Sequence, residues 1–191
     1  MSYLIAGLTG MPGSGKSLAC SYLEEMGFKK ISFGEITLNE LKRRNLPVTE
    51  ENEKKIRHEI REERGQAAYA KLWLESFQGP LTDNLVIDGV YSWEEVKILR
   101  NYFREQFVLI AILASPAIRH LRLGTREQRP LTPEEAFSRD LDEIENLNKG
   151  GTIAMADINI VNESCTPRIL QKNMRKALKK WQKDHPGMNI F

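Results

Sequence analysis

The sequence predicts an α/β fold built on a parallel β-sheet with helices on both faces. Three observations carry that prediction. Five short apolar runs, Tyr3 to Leu8, Phe28 to Ser32, Leu85 to Asp88, Phe107 to Ala114 and Ile158 to Asn162, are mostly continuous rather than alternating, as strands buried on both faces are. Stretches of helical periodicity separate them, and that alternation is what a parallel sheet with crossover helices produces. A glycine-rich turn, GLTGMPGSGKS over residues 7–17, follows the first run directly.

The first run ends in Gly10-Met11-Pro12-Gly13-Ser14-Gly15-Lys16-Ser17, which fits G-x-x-x-x-G-K-[ST] without mismatch. It leaves a strand and opens a helix. Such a loop cradles a polyphosphate, because glycines let several backbone amides converge and the helix N-terminus behind them favours an anion. Lys16 is expected on the β/γ-phosphates and Ser17 on Mg²⁺. After the second run the pattern from Glu35 to Phe77 is wholly helical, longer than a crossover requires, and reads as a substrate-binding insert. The third run ends in Asp88, an acidic strand end suited to holding magnesium beside Ser17.

Helix starts are marked further along. Ser92-Trp-Glu-Glu95 and Thr132-Pro-Glu-Glu135 read as capping boxes. Ser115-Pro116 and Thr166-Pro167 put a cap before a first-turn proline. The last helix carries Leu170, Met174, Ala177, Leu178 and Trp181 on one face and a row of lysines and arginines elsewhere, a core stripe with a solvated basic side.

Bulk composition fits one domain. The 191 residues are 41% apolar and 28% charged, with a formal charge of +2, too small to imply nucleic acid. Cys20 and Cys165 form no C-x-x-C pair, which fits a reducing cytoplasm and no zinc site. The N-terminal apolar run ends at Gly7, too short for a signal or a membrane span. We expect a cytoplasmic protein without membrane or nucleic-acid partners, a monomer or homodimer.

These residues resemble the P-loop nucleotide kinases, in the adenylate kinase and dephospho-CoA kinase group, and within it archaeal-type adenylate-kinase-related proteins. "GLTGMPGSGKS" and "LVIDGVYSWEEV" carry most of the likeness, supported by "SFGEI", "ILASPAIRHLRL", "SRDLDEI" and "ADINIVNES". The resemblance implies a three-layer P-loop NTPase fold whose five parallel strands run in the order 2-3-1-4-5. It implies an acceptor-binding insert at about 34–80 and a short lid at about 119–146, all in one domain over residues 1–191. It also implies ATP and Mg²⁺ as ligands, a nucleotide or nucleotide-like molecule as phosphate acceptor, and Asn162 near the nucleotide base, with Cys165 beside it. Two acceptor arginines of adenylate kinases are absent: Leu38 stands at one position, and Tyr91 and Ser92 cover the other. Glu35 is the nearest counterpart of the aspartate that serves dephospho-CoA kinases as base.

Two arginine clusters could replace the clamps. Arg57, Arg61 and Arg64 share one helical face, and because Arg57 and Arg64 are the i−4 and i+3 neighbours of Arg61, the helix offers it no acidic partner at those spacings. They read either as an acceptor-phosphate site or as a solvated face. Arg119, Arg122 and Arg126 recur on a second helix, with Arg129 and Arg139 beyond. This resembles a two-armed lid in which Arg126, Arg129 and Arg139 would meet the transferring phosphate. The leading reading is transfer of the γ-phosphoryl group of ATP. The alternative is a nucleotide-dependent switch that hydrolyses ATP slowly and binds protein or RNA.

Overall fold

The structure, a computed structural model, describes residues 3–127, 129–164, 166–188 and 190. Strands β1 (Ile5–Thr9), β2 (Lys29–Ser32), β3 (Leu85–Asp88), β4 (Phe107–Leu113) and β5 (Ile158–Val161) form one sheet in the order β2-β3-β1-β4-β5. Every pairing is parallel. The central position of β1 explains its sequence. Leu4, Ala6 and Leu8 enter one core layer and Ile5 the other, so the run cannot alternate with polar residues.

Helices α1 (Lys16–Glu25) and α9 (Pro167–Asp184) cover the first face. Ala19, Cys20 and Leu23 of α1 meet Leu170, Met174 and Leu178 of α9 there, with Ala177 and Trp181 packed at the margin. Cys20 is a buried thiol whose pKa burial pushes up to about 12, so it serves packing and not chemistry. Helices α4 (Ala68–Ser76) and α5 (Trp93–Phe103) cover the second face, where Trp73, Leu99 and Phe103 join Ile5, Ile87 and Leu109.

The chain between β2 and β3 holds α2 (Phe33–Arg43), α3 (Glu50–Arg64) and α4. Between β4 and β5 lie α6 (Pro116–Thr125), α7 (Pro133–Glu145) and α8 (Lys149–Ala154). Both predicted capping boxes form, at Ser92 with Glu95 and at Thr132 with Glu135. The other two caps form differently. Ser115 and Thr166 precede their prolines at the N-cap position, but neither side chain caps its helix. Ser115 Oγ instead donates to Glu163 Oε2 at 2.9 Å, tying β4's exit to β5's exit.

The arginine row of α3 is not a free row. Arg57 pairs with Glu50 at 3.0 Å and Glu53 at 3.5 Å, and Arg64 pairs with Glu75 of α4 at 3.0 Å. Arg61 is buried at 5% exposure, with its guanidinium 4.5 Å over the Tyr69 ring and Nη2 3.7 Å from Glu95 Oε1 of α5. The helix indeed offers Arg61 no acid. The partner comes from another element, which spacing along α3 cannot reveal.

Glu95 is fully buried; its Oε2 accepts from the Tyr91 and Ser92 amides. Burial pushes its pKa up from 4.5 to about 6, with Arg61 and the two amides opposing that rise. The folded state therefore binds a proton more readily than the unfolded chain, and stability is lost as pH rises through that interval. Arg61→Ala leaves a buried carboxylate without its cation. It should destabilise the fold by about 3–5 kcal/mol at pH 8. The loss should shrink at pH 5, where Glu95 can take up a proton. Urea unfolding at the two pH values measures both quantities, and an equal loss at both would show that Glu95 does not feel Arg61.

Candidate phosphate-transfer site

The glycine loop joins β1 to α1 in a geometry that only glycine permits at key points. Gly10 and Gly15 sit at φ 142° and 102°, and a side chain would also collide behind them. A Cβ on Gly10 would lie 2.3 Å from the Ile112 carbonyl oxygen, and one on Gly15 2.4 Å from Asn162 Nδ2. Three side chains hold the loop from outside by its carbonyls. Arg119 Nη1 donates to Pro12 O at 3.2 Å, Arg122 Nη1 to Gly13 O at 3.4 Å and Asn162 Nδ2 to Ser14 O at 2.8 Å. Because a peptide's C=O and N–H point in opposite directions, the anchored Pro12 and Ser14 carbonyls turn the Gly13 and Gly15 amides inward, while the Ser14 amide donates to Met11 O at 3.1 Å. The first amides of α1 also lack helical acceptors, as at any helix start.

Lys16 Nζ spans the loop, donating to Gly10 O at 2.8 Å and Met11 O at 3.2 Å. Its pKa is pulled down to about 7, first by burial and then by Lys149 and Arg139, with Glu143 and Asp88 opposing. A cation held in so unfavourable a field is stabilised by an arriving anion.

Above the loop opens a cavity of about 230 Å³. Its floor is Pro12, Gly13, Lys16 and Ser17; Ser32, Gly34, Asp88, Gly89 and Tyr91 form one wall, and Leu123, Arg126, Arg139 and Glu143 the other. Asp88 pairs with Lys30 of β2 at 3.3 Å. Arg126 has no carboxylate within ion-pair distance among the described residues; its Nε donates to Arg129 O at 2.5 Å. Its pKa is lowered by burial and then by Arg139, with Glu50 opposing and Arg129 adding to the effect. Arg139 Nη1 bonds Glu50 Oε2 at 3.2 Å.

Of the residues expected from sequence, the cavity brings together Pro12, Gly13, Lys16, Ser17, Asp88, Arg126 and Arg139. Gly10, Met11, Ser14 and Gly15 complete the loop around it. Several others lie elsewhere. Glu35 is exposed in the first turn of α2 and does not line the cavity, although Gly34 does. Arg129 bonds Glu53 at 2.5 Å instead of turning inward. Arg57, Arg61 and Arg64 do not line it either, each held by the carboxylates described above. Asn162 pins the loop from behind and also borders a smaller cavity of about 130 Å³ with Gly15, Arg122 and Thr166. Cys165 lies outside the described residues.

Two cavity features escaped the sequence reading. Glu143 of α7 lines the cavity and bonds Lys149, the first residue of α8, which is fully buried. Lys149 Nζ also lies 4.2 Å from the centre of the Tyr91 ring. The one local signal was Arg139 and Glu143, an i,i+4 pair on α7 with Nε 3.9 Å from Oε1. Nothing in the spacing marks Lys149.

The donor set suits a magnesium-bound polyphosphate. Inward amides and Lys16 match phosphate oxygens, and the Ser17 hydroxyl with the Asp88 carboxylate supplies hard oxygen ligands. Among the described residues no three His, Cys, Asp or Glu side chains gather to hold a metal unaided. The polyphosphate itself would have to complete the coordination, as is usual for Mg²⁺. None of the described helices is long and apolar enough to cross a membrane.

Comparison with known proteins agrees with this geometry. Residues 9–138 match the family described as AAA domain. A UPF0200 protein of Thermococcus onnurineus is 36% identical over 183 residues, covering 93% of this chain and 98% of that one. The UPF0200 protein of Methanocaldococcus jannaschii is 37% identical over 166 residues, covering 84% of this chain and 82% of its own. Among solved structures, shikimate kinase from Acinetobacter baumannii in complex with shikimate superposes with a TM-score of 0.60 at 14% identity. That likeness spans 94% of this chain and 95% of the other. A gluconokinase from Sinorhizobium meliloti gives 0.54 at 13%, over 95% and 97%. The structures share the fold of P-loop kinases, and by sequence the chain belongs to the AAA-domain family and to the UPF0200 proteins found in archaea.

Proposed function

We propose that the protein is an ATP-dependent phosphotransferase that moves the γ-phosphoryl group to a small acceptor. The observation that carries this reading is the cavity of about 230 Å³ that Lys16, Ser17, Asp88, Arg126 and Arg139 line together. Phosphoryl transfer asks little covalent work of a protein; it needs positioned partners and charge stabilisation where charge develops. The loop amides and Lys16 would hold the β- and γ-phosphates. Ser17 and Asp88 would hold Mg²⁺, which neutralises charge on the phosphates. Arg126 and Arg139 would meet the transferring group, with Arg129 able to join if it leaves Glu53. The α6–α7 segment then acts as the lid, excluding water. The nucleobase would lie against Arg122 and Asn162, at the smaller cavity.

The kinases named above act as analogies for a small-molecule acceptor. The insert, α2 to α4, forms the side from which an acceptor would enter. The acceptor role of Arg57, Arg61 and Arg64 finds little support, since all three are engaged by carboxylates. A nucleotide-dependent switch remains the outcome if ATP is cleaved slowly and no acceptor takes the phosphate.

Lys16→Ala should lower turnover by a factor on the order of a hundred or more, because it removes a charge aimed at the transferring phosphate. The free protein should melt close to the parent, since the burial that lowers the Lys16 pKa works against its bonds to the Gly10 and Met11 carbonyls. Turnover unchanged in a labelled-ATP assay would refute the assignment. Asp88→Asn should cut turnover far more than nucleotide affinity, and should raise the Mg²⁺ concentration required for half-maximal rate about tenfold or more. A metal titration of both proteins measures this, and identical curves would remove Asp88 from the metal site.

A further inference from the structure

The charges that line the cavity bear on the acceptor. Its cations are Lys16, Arg126 and Arg139, which a triphosphate would engage. The rest of the lining offers Ser32, Gly34, Gly89 and Tyr91, together with two carboxylates, Asp88 and Glu143. Among the described residues the lining holds no further cation for a second phosphate; Arg57, whose charge reaches Tyr91, is paired with Glu50 and Glu53. A phosphate acceptor would bring about −1.5 to −2 charge beside Glu143. A hydroxyl brings none and can donate a hydrogen bond to a carboxylate. Glu35, the base expected from sequence, is outside the cavity, whereas Glu143 is inside it.

Glu143 is fixed for such a role. It is 5% exposed, yet it reaches the cavity, and its Oε2 is bonded by the fully buried Lys149 while Oε1 lies near Arg139. Burial works against its ionisation, and Lys149, followed by Lys16, outweighs burial, so the carboxyl stays below its ordinary range. It is therefore a carboxylate held in one orientation.

Building on the phosphotransferase reading, we propose that the acceptor reacts through a hydroxyl oxygen and that Glu143, positioned by Lys149, is the residue that receives it. The hydroxyl oxygen bonds to the γ-phosphorus as the bond from that phosphorus to the β–γ bridging oxygen breaks. ADP leaves, and the hydroxyl proton passes to the Glu143 carboxylate. In a loose transition state this proton moves late, so orientation of the hydroxyl is the larger part of the effect.

Water is the simplest hydroxyl nucleophile and needs no identified acceptor. The first measurement is basal hydrolysis of ATP with Mg²⁺ by the full chain, its Glu143→Gln variant, and a Glu143→Gln/Lys149→Met double variant. The double variant removes both charges of the pair, so that no buried ammonium is left alone. Both should hydrolyse ATP about tenfold or more slowly, with ATP affinity by calorimetry within about twofold of the parent. Hydrolysis at the parental rate in the folded double variant would overturn the proposal, as would an equal loss of affinity, which marks a structural pair. The second measurement offers γ-labelled ATP with adenosine, ribose, glycerol and myo-inositol against AMP, CMP, GMP and UMP. Label on a hydroxyl oxygen, with no nucleoside diphosphate formed from the monophosphates, is the expected result. Faster labelling of the monophosphates on their phosphate, read as nucleoside diphosphates, would overturn the hydroxyl assignment and leave the phosphotransferase reading intact. A parent protein that neither hydrolyses ATP nor labels any probe would fail that reading itself, and this proposal with it.

Discussion

One guanidinium, that of Arg119, joins the two halves of the site. It is 4% exposed, and it donates to the Pro12 carbonyl of the phosphate loop and through two nitrogens to Asp140 of α7, at 2.6 and 2.7 Å. His120 adds a contact to the same carboxylate at 2.9 Å. Burial disfavours the charged form of Asp140, but the bonds from Arg119 and His120 more than compensate and hold its pKa down. A planar fork suits this task; an ammonium could not bind a carboxylate at two points and a carbonyl as well. Through this link the loop that would hold phosphate and the helix that carries Arg139 and Glu143 keep one spacing.

Around that link the charges are arranged in two grades. The buried pairs, Arg119 with Asp140, Arg61 with Glu95 and Lys149 with Glu143, fix the relative placement of α3, α5, α6, α7 and α8. Each would be costly to break, because the abandoned partner stays out of water. The second grade is wetter. Glu50, with a side chain 43% exposed, serves Arg57 and Arg139, and Glu53 serves Arg57 and Arg129. Ion pairs of this kind are worth roughly 0–1 kcal/mol each. A phosphate competing for Arg139 or Arg129 therefore has little to displace, while the scaffold beneath stays rigid.

The residue spacing by itself determined the five strands and the glycine loop, while the strand order followed from the resemblance to P-loop nucleotide kinases. Continuous apolar runs bounded by turns read as buried strands, which holds for β1, β3 and β4, whereas the edge strands β2 and β5 expose residues; G-x-x-x-x-G-K-S between a strand and a helix encodes its own backbone geometry. Lys16, Ser17 and Asp88 were legible as cavity residues because local covalent neighbours place them at the loop and at the strand end. The capping boxes at Ser92 and Thr132 were legible for the same reason. What only the tertiary structure decided is which charges face one another across elements. Arg61 finds its acid on α5, Arg129 on α3, Arg119 on α7, and Glu35 faces solvent while Glu143 enters the cavity. Periodicity along one helix reports the face on which a side chain lies. It carries no information on what another helix brings to that face, and for a charged group in low dielectric the partner, not the face, sets the role.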